Sequence, residues 1–538
     1  MIPLHLHSNY SFLFGTLRIE DIIAVSKKLN LPSIAITDTN GMYGVIQFAK
    51  KAEEENIKPI IGTFIDDPAD KNKYAIFLAK NNSGYGDICK IITQRKLNED
   101  FSLVKILGCY WKNLIIITPL IALLKEINKQ NDFYAELIPT KKNRQNALEL
   151  FNYAKQNEIP FVASNPVYFL NKNDFDLHKL VTAIRLNKSI ENLRSEELTD
   201  EEYYFKSPTE IAKQFEKIPQ AIENSFIISQ KCNIDFDFDV YKYPVYPKLK
   251  SKSSYVELVK ICFEGLKKRY SNPGERELKR LSYELDVIRE LNFVDYFLIV
   301  WDIAREARRR GMMTIGRGSA ANSLVAYCLE LTQVDPIKHN LYFERFLNRA
   351  RTNPPDVDLD FSWKERDEIV KYVFETYGYE KVAMISTTVT FRARSAFREV
   401  AKAFGLSDQE ISKYSKKIPW TNAANLPNIS AIFPESKNLN FSIEPWKSII
   451  NYAVRISNFP RHLSIHPGGI VITPNKITDY CALEYAKNKG LGLIVTQPDM
   501  YSIEELGLIK IDLLSQRSLG VLRDTMESIK NNYGKRKS

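Results

Sequence analysis

Over roughly the first 230 residues, short apolar runs alternate with stretches in which apolar residues recur every three or four positions. This spacing predicts helices over 19–29 and 45–55 and strands over 33–37 and 59–61. Repeated β–α units build a parallel sheet or barrel, and Asp38 falls at the C-terminal end of a strand, where barrel enzymes place their chemistry. Farther along, Leu324, Val325, Cys328 and Leu329 recur at helical spacing behind a glycine-rich turn, with Ser319 as the expected N-cap. Ser362 and Glu365 read as a capping box opening a helix over 363–377, with Ile369, Val370, Val373 and Tyr377 as its buried stripe and Gly378 as its stop. Residues 391–466 read as helical and Lys-rich, and a last helix is expected over 518–530. The chain is therefore α/β and multidomain.

Two strands in this pattern carry acid on one face. Asp356, Asp358 and Asp360 alternate with Val357, Leu359 and Phe361, so a strand sets all three carboxylates on one side. Such groups repel by about 4 kcal/mol per pair at roughly 4 Å with an effective dielectric near 20, which calls for positive charge nearby. A divalent ion is one answer and a solvated acidic edge is the other. Over 506–514 Lys510 and Asp512 share a strand face opposite Ile509, Ile511 and Leu513, as a surface ion pair also would. Upstream, the turn Gly316, Arg317, Gly318, Ser319 opens into a helix, a setting that is often only structural but that also suits phosphate. Taken in order, a phosphate turn, a carboxylate strand and a distant strand with one more Asp are the parts of two-metal nucleotidyl transfer.

The motifs at 293–302, 316–327, 343–348 and 355–360, together with Lys510-Ile-Asp512, resemble those of the catalytic subunit of bacterial DNA polymerase III, the C-family polymerases. The likeness runs through almost the whole chain and is densest over 290–400 and 459–522. It implies a PHP-type distorted β/α barrel over 1–230 and a nucleotidyltransferase-type palm over 231–390 and 468–517. A helical thumb is then inserted over 391–467, and the fingers start at 518–538. Two Mg²⁺ ions would be held by Asp358, Asp360 and Asp512, with Asp356 in support. Gly316, Arg317, Gly318, Ser319, Lys510 and Arg394 would serve the nucleotide. Arg392, Arg398, Arg461 and His466 would face DNA, although a solvated helix face accounts equally well for any one of the helical arginines. Asn322 stands where the main replicative members carry Gly, and with Pro354 and Pro355 this is more like accessory or error-prone members.

The resemblance also gives the N-terminal domain a degenerate metal site. His5 and His7 share a strand face, and Asp38, Asp176 and His178 follow. The family's Asp-His pair is Asp38-Thr39 here, its Gly-x-Glu ends in Phe64, and a later His is Tyr168. Loss of charge and ligand together implies a structural domain without bound metal.

Net charge is +10, with 44% hydrophobic and 26% charged residues, as in an ordinary globular protein with a polyanionic partner. Arg305, Arg308, Arg309 and Arg310 precede the phosphate turn, and Lys530, Lys535, Arg536 and Lys537 crowd the C-terminus. Six scattered cysteines without a C-x-x-C pair argue against a zinc ribbon or disulfide framework. The longest apolar stretch, 114–124, is too short to span a bilayer, so a cytoplasmic protein without membrane contact is expected.

The expected function is template-directed addition of dNTPs to a primer on DNA, in replication or lesion bypass. Family members continue for several hundred residues beyond Asp512, so a core fragment short of most of the fingers and clamp-binding region is expected. Other replisome subunits would then bind through the missing C-terminal region. Two alternatives are a PHP-type metal-dependent phosphoesterase or 3′–5′ exonuclease, and a non-catalytic DNA-binding scaffold.

Overall fold

A computed structural model of the chain describes residues 1–238, 240–249, 253–350, 354–355, 357–486 and 493–534. The first sheet runs in chain order: β1 Ser33–Ile36, β2 Lys58–Asp66, β3 Tyr74–Ala79, β4 Leu114–Thr118, β5 Asp132–Leu137 and β6 Phe161–Ala163. β1–β2 and β4–β5–β6 pair in parallel, through helices such as Val45–Glu54 and Arg144–Gln156. The expectation of parallel units throughout fails in the middle. β2–β3 is antiparallel, because no helix lies between them to return the chain in the same direction, and β3–β4 is antiparallel as well, which restores the direction of β2.

The N-terminal segment curls this sheet toward a barrel. Thr37 N–H donates to the Leu6 carbonyl at 2.8 Å on one side, and Leu6 bridges to Val167 on the other. Ile60, Ile76, Ile115 and Val162 pack the interior, while the opposite strand faces meet the helices. Both faces are buried, which explains the near-continuous apolar runs in the sequence. The run at 114–124 becomes buried β4 and a helical turn at Ile121–Leu124.

The second sheet has the order β11-β12-β9-β10-β13-β8-β7. Its strands are β7 Thr314–Arg317, β8 Asp358–Ser362, β9 Val382–Thr390, β10 Pro460–Ile472, β11 Leu483–Tyr485, β12 Ile494–Asp499 and β13 Lys510–Gln516. β9 and β10 form a long antiparallel ribbon, from Val382 opposite Ile472 to Thr390 opposite Pro460. Helices Ala393–Ala403 and Trp446–Arg455 sit at its far end, with Phe397, Val400, Ile449 and Ala453 in a core shared with Leu180 and Val181 of helix Phe175–Leu186. The helical run ends at Arg455, so 460–467, expected with the helical segment, are strand, held extended by their pairing with β9.

Two local expectations are corrected. Ser362 caps no helix: it ends β8, opposite Gln516, and the helix begins at Arg366. Ladder pairing outweighs a local cap here. The stripe of Ile369, Val370, Val373 and Tyr377 is buried as expected, and Gly378 (φ +95°) ends that helix. Ser319 is likewise not an N-cap. It lies in the 3₁₀ turn Gly318–Asn322, and Ser323 caps the short helix Leu324–Cys328 through the Ala326 N–H at 3.1 Å. The last helix is Arg517–Tyr533. Asp356, Lys535, Arg536 and Lys537 lie outside the described residues.

Candidate active site

The acidic strands are neighbours. β13 pairs with β8 in parallel, Asp512 opposite Asp358 and Leu514 opposite Asp360, so all three carboxylates project from one face. Val357, Leu359 and Phe361 fill the core behind them. β7 runs antiparallel along the other side of β8, with Arg317 opposite Asp358. Arg317 Nε lies 3.5 Å from Asp358 Oδ2 and 3.6 Å from Asp360 Oδ2. Lys510 Nζ lies 3.0 Å from Asp512 Oδ2, and Gln516 Nε2 donates to Asp360 Oδ1 at 3.3 Å. Two cations thus offset the repulsion. Among the described residues no three acidic, His or Cys side chains are drawn close enough to hold an ion as they stand.

Asp512 Oδ1 is buried with no hydrogen-bond partner. His466 comes within 3.7 Å of it through Nδ1, yet that nitrogen accepts the Gly469 N–H at 2.7 Å and so carries no proton to give. Burial lowers the His466 pKa, as do the charges of Lys510 and Arg366, against the raising effect of Asp512. Arg366, missed in the sequence, is a buried guanidinium whose Nε donates to the Leu513 carbonyl at 2.9 Å. It fixes the backbone between Asp512 and Leu514. Its signal was a lone Arg at the foot of the capping motif.

The glycine turn owes its shape to two constraints. Gly318 has φ +75°, a region that disfavours side chains. A Cβ on Gly316 would sit 2.1 Å from the Leu331 carbonyl oxygen. Gly316→Ala is therefore expected to push β7 off β8 and cost about 1–3 kcal/mol, read by urea unfolding; an unchanged midpoint would contradict this close approach. Asn322 Nδ2 donates to the Ser319 carbonyl at 2.9 Å and braces the turn. The following helix does not present its first N–H groups to phosphate, contrary to expectation. Glu284, from helix Glu275–Glu290, already accepts from Leu324 N–H and Val325 N–H at 3.0 Å each.

The remaining nucleic-acid candidates lie away from the carboxylates, in or beside the helical insert. Arg394 donates twice to the Ile418 carbonyl, and Arg398 reaches Ser415 and Asp408. Arg392 bonds Asn458 beside the exposed Trp420 ring, and Arg461 pairs with Glu399 at 2.7 Å. The arginine cluster before the glycine turn is largely spent on Asp302, Glu306 and Glu330.

In the barrel, His5 and His7 are brought together with Glu136, another residue the sequence reading missed. It stood at the end of a barrel strand, as Asp38 does. His5 Nδ1 donates to Glu136 Oε1 at 2.7 Å, so its Nε2 accepts from His7 Nε2–H at 3.1 Å. Phe64 and Tyr168 close over the pair, with Tyr168 stacked on His7 at 4.1 Å. Asp38 is satisfied by Ser8 and Ser11, and Asp176 is exposed beside Lys179 rather than in the cluster. His178 bonds the Phe14 carbonyl and the Thr199 hydroxyl.

Burial drives the His178 pKa down to about 4 and the Asp38 pKa up to about 6. The signs oppose. His178 gives stability that is full above its unfolded pKa near 6.5 and lost as pH falls through 4. Asp38 gives stability present below about 3.8 and lost as pH rises through 6. Relative to the parent, His178→Gln is expected to lose about 3 kcal/mol less between pH 7 and 4. Urea unfolding at the two pH values reads the difference, and equal losses in both proteins would refute it.

A PHP barrel followed by an acid-bearing, nucleotidyltransferase-type mixed sheet defines a class, and comparison with known proteins agrees. Residues 3–160 match the PHP domain, and residues 256–515 match the bacterial DNA polymerase III alpha NTPase domain. The chain thus joins a PHP domain to a bacterial DNA polymerase III alpha NTPase domain. It is 34% identical over 554 residues to the DNA polymerase III subunit alpha of Bacillus subtilis (strain 168), covering 98% of this chain and 49% of that one. It is 30% identical over 570 residues to an error-prone DNA polymerase of Symbiobacterium thermophilum, covering 98% and 52%. It is 33% identical over 578 residues to the DNA polymerase III subunit alpha of Borreliella burgdorferi, covering 98% and 49%. The chain spans about half the length of the curated relatives it matches. Among the described residues no helix is long and apolar enough to cross a membrane.

Proposed function

We propose that the chain carries the catalytic centre of a DNA-directed DNA polymerase, adding dNTPs to a primer 3′-hydroxyl opposite a template. The observation that carries this reading is the pairing of Asp512 with Asp358 on adjacent strands, beneath Arg317 and beside the glycine turn. Asp358, Asp360 and Asp512 are the residues that would hold two Mg²⁺ ions. The orphaned Asp512 Oδ1, and carboxylates facing the side chains of Arg317 and Lys510, fit a cation. When bound, the ions would lower the pKa of the attacking hydroxyl and steady the leaving oxygen.

The chain's own groups do the rest. Arg317 is about half exposed, so it can leave the carboxylates and take triphosphate oxygens instead. Gly318 and Ser319 supply the turn on which those oxygens lie, and Lys510 balances Asp512. Arg366 holds the β13 backbone so that Asp512 keeps its aim.

The sheet then serves as palm, over 231–390 and 468–517, and the insert as thumb. Ten Lys and Arg against five Asp and Glu over 391–459 suit the phosphates of a primer–template duplex. Phe64 and Tyr168, closed over the His pair, favour a structural barrel without metal. A cytoplasmic location and contacts with other replication proteins follow from the same reading. Manganese titration followed by electron paramagnetic resonance tests it: about two ions should bind with dNTP present, and Asp358→Asn should lose them. Undiminished binding by the variant would overturn the assignment.

A further inference from the structure

A second feature lies on β10, away from the carboxylates. Between the barrel and the β10–β12 side of the sheet is an open cleft of about 430 Å³. Its walls join aromatic rings to positive charge. Phe12 stacks on Tyr43, with centroids 4.5 Å apart and planes at 26°. Phe14 lies under the Arg185 guanidinium at 3.9 Å, and the Tyr485 ring on the opposite wall is 48% exposed.

Four cationic side chains reach the same space: Lys71, Lys96, Arg185 and Arg461. Glu484 is the acid among the lining residues, and it is already engaged. Tyr43 Oη–H donates to it at 2.5 Å, Gln497 Nε2–H donates at 3.2 Å, and Lys96 lies 3.4 Å away. Arg461 is balanced by Glu399. Arg185 makes no such ion pair among the described residues: its Nε is buried with no hydrogen-bond partner there, and burial lowers its pKa against the raising effect of Tyr168 and Glu197. A mere packing seam would close over such a group or pair it.

The loop that presents Phe12 and Phe14 is held in a costly shape. Leu13 sits at φ +61°, a left-handed conformation rarely adopted by a bulky residue, and such outliers gather at ligand clamps. The cleft and the acidic site share one strand. Residues 461–465 of β10 line the cleft, while His466 and Gly469 of the same strand meet Asp512.

We propose that this cleft binds a short stretch of single-stranded DNA, its bases on the Tyr485 and Phe12 rings and its phosphates at Lys71 and Arg185. Flat apolar rings alternating with cations match a strand whose bases are unpaired. An acidic peptide would use the cations and leave the rings without a purpose. A duplex hides its base faces in its own stack. The choice of DNA as the polymer rests on the function proposed above, whereas the cleft chemistry does not.

The test uses the whole chain without divalent metal, and fluorescence anisotropy of labelled dT₁₂ at a series of salt concentrations. Tyr485→Ala should weaken binding about tenfold, as expected for one lost base stack. Lys71→Gln should reduce the slope of log K against log salt by about 0.7, one phosphate contact on a single strand. Both side chains are exposed, so the fold is not at stake. Asp512→Asn should bind dT₁₂ like the parent, so loss of the catalytic reading leaves this result interpretable. The proposal is overturned if both cleft variants match the parent, or if blunt duplex or poly-glutamate competes as well as unlabelled dT₁₂.

Discussion

Asp512→Asn is expected to lower single-nucleotide incorporation on a primed template by about 10³-fold or more, while leaving the fold intact. The change keeps the side chain's shape on β13 and removes its charge. Asp512 contributes a buried oxygen that no group among the described residues satisfies, and the other oxygen faces Lys510 at 3.0 Å. Its strand partner is Asp358. Removing one of three like charges relieves repulsion and also costs Lys510 a counter-charge, so stability should move by no more than about 1 kcal/mol. Single-turnover incorporation and urea unfolding are read on the same protein. Lost incorporation at unchanged stability is what a metal-holding residue gives. Activity within tenfold of the parent would remove Asp512 from the centre.

The largest stability effect is expected at Glu284. The side chain is fully buried and accepts from Leu324 N–H, Val325 N–H, the Ser323 hydroxyl and Arg280 Nε, the last at 2.6 Å. Burial raises its pKa, and the Leu324 and Val325 N–H groups and Arg280 act against that shift. Glu284→Ala strands two buried N–H groups and a guanidinium, for a loss of about 3–5 kcal/mol. Glu284→Gln keeps the shape and part of the bonding, for a loss of roughly 1–2 kcal/mol. The glycine turn should loosen as well, because Arg280 also donates to the Asn322 carbonyl at 3.0 Å. Equilibrium unfolding in urea orders the three proteins. An alanine variant within 1 kcal/mol of the parent, by the scale of a lost exposed contact, would mean the cap is dispensable.

Much of this site was legible before any coordinates. Alternation at 357–361 set Asp358 and Asp360 on one face because the strand period is two, and the same rule placed Lys510 with Asp512. The order of motifs suggested the family, and the match over 256–515 supports that suggestion. Capping was less legible. Ser319 and Ser362 have the composition of caps, yet a carboxylate from another helix took the first helix end and strand pairing took Ser362. Local propensity is worth about 1 kcal/mol and yields to several buried bonds. Glu136 and Arg366 gave little signal because a buried charge is recognisable only by its partners.

The sequence by itself determined which residues face together along each strand and helix, since that depends on backbone periods alone. It also determined the chemistry available, in the acids of β8 and β13 and the glycines of the turn. Only the tertiary structure decided that Asp512 lies against Asp358, 154 residues away in the numbering, with Arg317 over both acids of β8. It likewise decided that Glu284 caps the helix after the turn and that Arg461 faces a cleft rather than the carboxylates. Register between distant strands follows from how the whole sheet buries its apolar face, and no local stretch of sequence carries that information.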